Sequence, residues 1–132
     1  MSALDLLLKI DRSKVTRPTK RVELPRLTAL AGAPVEFKLQ ALTYDEQEEI
    51  AEIATSNGDV DQGAIRAFTI LKGVLDPSLK DSELLKHYGV ATPKELLLHT
   101  GFLLPGEIAV LYSEISDLSG FGEGAVVELK NE

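Results

Sequence analysis

No cysteine occurs in the 132 residues, which excludes a disulfide framework and thiol chemistry and sits comfortably with an intracellular home. Histidine is almost as scarce. His87 and His99 are the only two, and they fall twelve residues apart on separate expected helices, so no metal site is expected. Long apolar runs are also missing. No window reaches the ~20 residues of a membrane span. The cluster Leu4, Leu6, Leu7, Leu8 and Ile10, broken by Asp5 and Lys9, is too short for a secretory signal and lacks a small-residue cleavage site, so the chain reads as soluble and unexported.

Catalytic signatures are absent in the same way. Gly120-Phe121-Gly122-Glu123-Gly124 has neither the strand–helix context nor the lysine–serine pair of a phosphate loop. A serine nucleophile elbow is not found. Asn57, Asp59 and Asp61 match the first oxygen positions of a calcium loop, but Gln62 and Phe68 stand where glycine and glutamate are needed. Glu114 and Asp117, three apart, read as a solvated helix face. The chain is therefore expected not to be an enzyme and to use no cofactor.

What is present is an ordinary globular composition, 44% hydrophobic and 27% charged, in a length that suits one domain. The net charge of −7 and a pI near 4.9 argue against nucleic acid as a partner, because phosphates would be repelled.

Periodicity predicts an α+β fold, a predominantly helical single domain with a small antiparallel β-hairpin near the N-terminus. A short helix over residues 3–10 and a basic connector fill residues 1–21. Val22-Glu23-Leu24 and Val35-Glu36-Phe37-Lys38-Leu39 alternate apolar and charged residues, so residues 22–42 are expected to form the hairpin, with Ala31-Gly32-Ala33-Pro34 as its turn. A helical body follows over 43–119 and a flexible tail over 120–132. Thr43 with Glu46 makes a capping box for a helix to about Ala54, burying Ile50, Ile53 and Ala54. Asn57-Gly58-Asp59 turns the chain. A helix from Gln62 to Val74 is expected to bury Ile65, Phe68, Leu71 and Leu75, and Asp76-Pro77 stops it. Gly89 closes a short helix over 82–88. Thr92-Pro93-Lys94-Glu95 and Pro105 start two more. The last carries Ile108, Leu111, Tyr112, Ile115 and Leu118 on one face.

Two features point to partners. Residues 12–26 hold six basic side chains and one acid, whereas residues 43–61 hold seven acids and no base. Beside two solvated surfaces, this allows head-to-tail association in which Arg17, Lys20 and Arg21 of one copy meet Glu48, Glu49 and Glu52 of the next. The Leu4, Leu7 and Leu8 cluster either docks on its own domain or seats on another chain.

Val74-Leu75-Asp76-Pro77-Ser78-Leu79-Lys80, Ala91-Thr92-Pro93-Lys94-Glu95-Leu96, Leu103-Leu104-Pro105-Gly106-Glu107-Ile108 and Leu118-Ser119-Gly120-Phe121 come in an order and spacing that resemble the XkdN-like tail assembly chaperones of long-tailed bacteriophages and related defective prophages. Pro18-Thr19-Lys20, Leu42-Thr43-Tyr44 and Val127-Glu128-Leu129-Lys130 extend the likeness over most of the chain, with Thr55 to Asp61 its least similar part. The resemblance implies a role, not an active site. It implies an ATP-independent holdase in the bacterial host cytoplasm that acts on the tape measure protein, a long hydrophobic helical client, with the tail tube protein as a second partner and homo-oligomers as the working form. It further implies client contacts through Leu4, Leu7 and Leu8 and through Ile108, Leu111, Tyr112 and Ile115. A longer frameshifted product through an adenine-rich stretch at Lys130-Asn131 belongs to the same picture. The alternative is a structural tail-tube or baseplate component retained in the virion.

Overall fold

A computed structural model describes residues 1–130. Asn131 and Glu132, which include half of the expected frameshift site and the end of the expected tail, lie outside the described residues. In chain order the elements are α1 (Ala3–Lys9), β1 (Thr19–Glu23), α2 (Pro25–Ala31), β2 (Glu36–Gln40), α3 (Tyr44–Ala54), β3 (Thr55–Ser56), β4 (Asp59–Val60), α4 (Gln62–Gly73), β5 (Val74–Asp76), α5 (Ser82–His87), α6 (Pro93–His99) and α7 (Pro105–Ser116). The α+β expectation holds, with helices dominating and one small antiparallel sheet.

That sheet is larger than a hairpin. β2 is its centre, with β1 on one side and β5 on the other, both antiparallel. Val22 pairs with Phe37 and Lys20 with Leu39, so the period-two pattern of β2 turns Phe37 and Leu39 inward, where both are buried. β5 was missed because Val74-Leu75-Asp76 is three residues long and reads as the tail of a helix. It forms because β2 offers an open edge, and register shifts between Lys38 and Leu39 accommodate it.

The expected turn between β1 and β2 also needs correction, since α2 occupies most of that connection. Pro25 sits at its first position and Gly32, at φ 78°, caps its end, the proline-then-glycine asymmetry of helix ends. Thr28 ties the return, its hydroxyl accepting from the Val35 amide at 2.9 Å.

Elsewhere local signals and structure agree. Thr43 and Glu46 form a reciprocal capping box on α3. Thr92 accepts from the Glu95 amide at 3.2 Å to start α6. Asn57 and Gly58, both at positive φ, make the two-residue turn between β3 and β4. Gly89, at φ 70°, follows α5 as anticipated.

The packing face of α4 differs from expectation. Ala64, Ala67, Thr69, Ile70 and Gly73 are buried, while Ile65, Phe68 and Leu71 lie half-buried on its flanks and Leu75 is exposed. Small residues at threefold spacing let α4 and α7 approach closely, and at Gly73 an added Cβ would stand 2.5 Å from Ile115 Cδ1. Similarly Ile53 of α3 is exposed although Ile50 and Ala54 are buried. The core joins Phe37, Leu39, Ile70, Leu97, Ile108, Leu111 and Ile115.

Candidate partner-binding surface

The N-terminal helix stands off the domain. Ser2 and Asp5 cap α1 reciprocally, and serine hydrogen bonds hold the Asp5 carboxyl below its ordinary pKa. None of its residues is buried: Leu4 and Leu7 are 63% exposed and Leu8 75%. Of the two sequence readings of this cluster, docking on its own domain is not what the structure has. Spacings of three and four place Leu4, Leu7 and Leu8 on one stripe.

The connector that follows is clipped down at its far end. Pro18 accepts from the Ala41 amide at 3.0 Å, and Arg17 donates to Glu46 on α3 at 2.9 Å. Lys20 reaches Glu114 on α7, and Arg21 reaches Glu36 across the sheet. The three bases expected to meet another copy therefore have carboxylate partners in their own chain. Of the acids expected opposite them, Glu49 pairs with Lys72 at 3.1 Å. Glu48 and Glu52 have no cation within 4.0 Å among the described residues.

The stripe on α7 faces inward. Ile108, Leu111 and Ile115 are buried, Ile115 completely, because the α4 face and the sheet both close on them. As contacts for a client on the folded domain they are unavailable, which corrects that expectation. The 3.6-residue period marked a core face, as it does on most surface helices. Tyr112 is half-buried and lines a cavity of about 440 Å³ with Ile50, Ile65 and Phe121.

The opposite flank of α7 is open. A groove of about 680 Å³ runs between α7 and the β1–α2 corner, walled by Val22, Leu24, Pro25, Leu104, Val110 and the edge of Leu111. Val110 is 60% exposed. Its charged lining is Glu23, Glu107 and Glu114, of which Glu114 is paired with Lys20 and Glu107 with Arg26. Sequence reading missed this site because the α7 residues that line it, Leu111 apart, fall outside the amphipathic stripe. The available signal was Val110, an apolar residue on the face that should be polar.

Glu107 organises one end of the groove. It accepts from the Leu104 amide at 2.7 Å, capping α7, and receives Arg26 through Nε at 3.1 Å and Nη2 at 2.8 Å. Arg26 also donates to the Phe102 carbonyl at 2.8 Å. The Arg26 hydrogen bonds, opposed by partial desolvation and helped by the Leu104 amide, hold the Glu107 carboxyl below its ordinary pKa. At Glu46 desolvation acts upward, but the Thr43 amide, Arg17 and the Thr43 hydroxyl outweigh it, and this carboxyl too is lowered.

The sign of the linkage follows: a lowered folded pKa gives stability that is complete above the unfolded value of about 4.3 and is lost as pH falls through the folded value. Urea midpoints measured from pH 7 to 3 should therefore fall below pH ~4.3, and Glu107→Gln should flatten part of that decline. An unchanged acid profile in the variant would remove Glu107 from the account.

The motifs of the sequence now have places. Leu104, Gly106 and Glu107 line the groove, while Leu103 and Ile108 belong to the core. Ser119 donates to the Ile115 carbonyl at 2.7 Å and accepts from the Leu42 amide at 2.8 Å, and Gly120 turns the chain at φ 95°. Leu79 is buried behind β5. Asp61 caps α4 by accepting from the Ala64 amide at 3.1 Å, which accounts for one carboxylate of the acidic turn. His87 and His99 lie exposed in the last turns of α5 and α6. Among the described residues, no three His, Cys, Asp or Glu side chains gather as a metal site, and no helix is long and apolar enough to cross a membrane. Val126, Val127 and Leu129 are exposed in a tail without regular structure.

Comparison with known proteins gives two likenesses. Residues 4–130 match the family described as phage XkdN-like tail assembly chaperone protein. The fold is similar to a crystal structure of the protein YqbN, at 25% sequence identity and a TM-score of 0.59, over 81% of this chain and 90% of that one. A search of curated proteins finds no match.

Proposed function

This chain belongs to the phage XkdN-like tail assembly chaperone family, and from that premise we propose that it holds an apolar helical segment of the tape measure protein in the groove beside α7. The observation that carries this reading is an open apolar trough along the flank of α7, walled by Val22, Leu24, Pro25, Leu104 and Val110. A client helix laid along α7 would place its apolar face against Val22, Leu24, Leu104 and Val110, the helix-in-groove mode of recognition. Client exposure to water before the tube closes is the hazard, and covering the stripe lowers the concentration of aggregating species by mass action. Displacement by tube protein requires moderate affinity per site, which a short groove supplies. The work is stoichiometric, done in the host cytoplasm, and needs neither nucleotide nor metal. Exposed α1 leucines offer a second apolar surface.

Co-expression with the tape measure protein tests this. Wild-type protein should move the client into the soluble fraction and co-purify with it, and Val110→Asp should cut the recovered complex at least tenfold while the variant itself stays folded. A client that remains insoluble while the protein purifies alone, together with its presence in many copies in purified tails by mass spectrometry, would instead make it a structural tail component.

A further inference from the structure

We propose that the cavity of about 440 Å³ between α3, α4 and α7 is an anchor pocket for a neutral aromatic side chain with a polar tip, tryptophan or tyrosine, carried by the polypeptide client. This rests on the client reading above and adds a second contact to it. Tyr112 and Ser116 lie about 200–240° round α7 from Val110, so the pocket opens on the other side of that helix from the groove. Its floor is apolar, with Ile50 buried and Ile65 half-buried, and no charged side chain lines it. Four polar ones do: Gln47, Thr69, Tyr112 and Ser116. None of these four side chains makes a hydrogen bond among the described residues, and Thr69 is only 5% exposed. Hydroxyls near other helix ends close on the carbonyl four residues back, Thr55 on Ala51 at 2.6 Å, Thr100 on Leu96 at 2.6 Å and Ser119 on Ile115 at 2.7 Å. Thr69 does not. No side-chain polar atom among the described residues is sealed from solvent without a partner, so the Thr69 hydroxyl looks into the cavity that its residue lines.

This lining selects the occupant. The apolar floor and the rings of Tyr112 and Phe121 suit an aromatic body, and the waiting hydroxyls and the Gln47 amide suit a single polar tip. A free amino acid or a nucleotide would bring charges that nothing in the lining can hold, whereas a residue inside a polypeptide has none. The chain does not supply the anchor itself. It has no tryptophan and three tyrosines, of which Tyr112 lines the pocket and Tyr88 packs on Phe102. Tyr44 is 76% exposed, but it stands on α3 beside Asp45, with Glu48 and Glu52 further along. Those three acids have no cation within 4.0 Å among the described residues. A second copy inserting Tyr44 would bring its own α3 against the α3 that lines the pocket, acid against acid.

The test titrates isotopically labelled protein with N-acetyltryptophanamide and follows backbone amides by NMR. It contains no client, so its failure would leave the groove reading standing, and failure of the Val110→Asp co-expression would leave this titration untouched. Shifts at Gln47, Thr69, Tyr112 and Ser116 should saturate together. N-acetylphenylalaninamide, equally neutral but without a polar tip, should bind about fivefold more weakly. Thr69→Val keeps the shape and deletes the hydroxyl. It should weaken the tryptophan probe about fivefold and leave the phenylalanine probe unchanged. Because that hydroxyl has no partner in the free protein, the variant's urea midpoint should stay level or rise. No saturable shift at the pocket with about 10 mM probe would overturn the proposal. So would a Thr69→Val variant that binds both probes like wild type, or one whose urea midpoint falls, which would make the threonine structural. Free tryptophan binding as tightly as the amide would overturn it too, handing the pocket to a free amino acid.

Discussion

Phe37→Ala is expected to lower the folding free energy by about 3–5 kcal/mol, a large part of the 5–15 kcal/mol that holds a domain of this size together. Phe37 is 1% exposed and sits on β2, the central strand, with β1 paired at Val22 and the helical layer above it. Truncation removes apolar contacts from the sheet and the helices at once and leaves a cavity in a close-packed core. Lys38, one residue along on the opposite face, is exposed, and its replacement by alanine should change stability by no more than about 0.5 kcal/mol. Urea unfolding of both variants checks the contrast. Equal effects at Phe37 and Lys38 would mean that β2 is not the centre of the core.

Gly73→Ala should destabilise by about 1–3 kcal/mol, although alanine is the better helix former at an ordinary helical site. The reason is space. The new Cβ would stand 2.5 Å from Ile115 Cδ1 and 2.8 Å from its Cγ1 and Cγ2, and Ile115 has no solvent to retreat into. Ile115→Val removes the Cδ1 methyl, and alone costs about 0.5–1.5 kcal/mol. Combined, the two changes should cost less than the sum of the singles, because the valine removes the nearest of the three clashing atoms and the alanine methyl takes up part of the space it leaves. Strict additivity in the double mutant would show that α4 and α7 part freely and that the contact is not tight.

These two positions also separate what is legible in sequence from what is not. Phe37 could be read directly: its strand alternates apolar and charged residues, and the inward face follows from the period. Gly73 could not. In sequence it is a glycine near the end of a helix, and its use as clearance for a side chain 42 positions later exists only once α7 has docked. The same limit applies to the buried face of α4, which is Ile70 with Ala64, Ala67, Thr69 and Gly73 and not the larger Ile65, Phe68 and Leu71. Residue size does not mark this face, because the gap between two close helices selects for alanine and glycine.

The candidate site shows the limit more sharply. Leu4, Leu7 and Leu8 were visible as a cluster, but whether they pack on the domain is a matter of what surface lies within reach. On α7 the periodic stripe is legible in sequence, but it is the sheet and α4 that cover it, not a partner. The groove on the other flank combines β1, the start of α2 and the flank of α7, and α7 lies about eighty residues from the other two in the chain, so no local pattern contains it. The arginine that braces it, Arg26, meets Glu107 across a separation of 81 residues.

By itself the sequence determined the helix starts at Thr43, Thr92 and Pro105, the turn at Asn57-Gly58, the absence of thiol chemistry and the family motifs. Each of these depends on groups within a few residues of one another or on residue identity alone. Only the tertiary structure decided that β5 completes the sheet, that Ile108, Leu111 and Ile115 belong to the core, that Arg17, Lys20 and Arg21 pair with carboxylates of their own chain, and that the α1 leucines and the groove beside α7 lie open among the described residues. Burial and pairing are properties of surfaces brought together over long stretches of chain, and a residue's own chemistry says only that it can be covered, not by what.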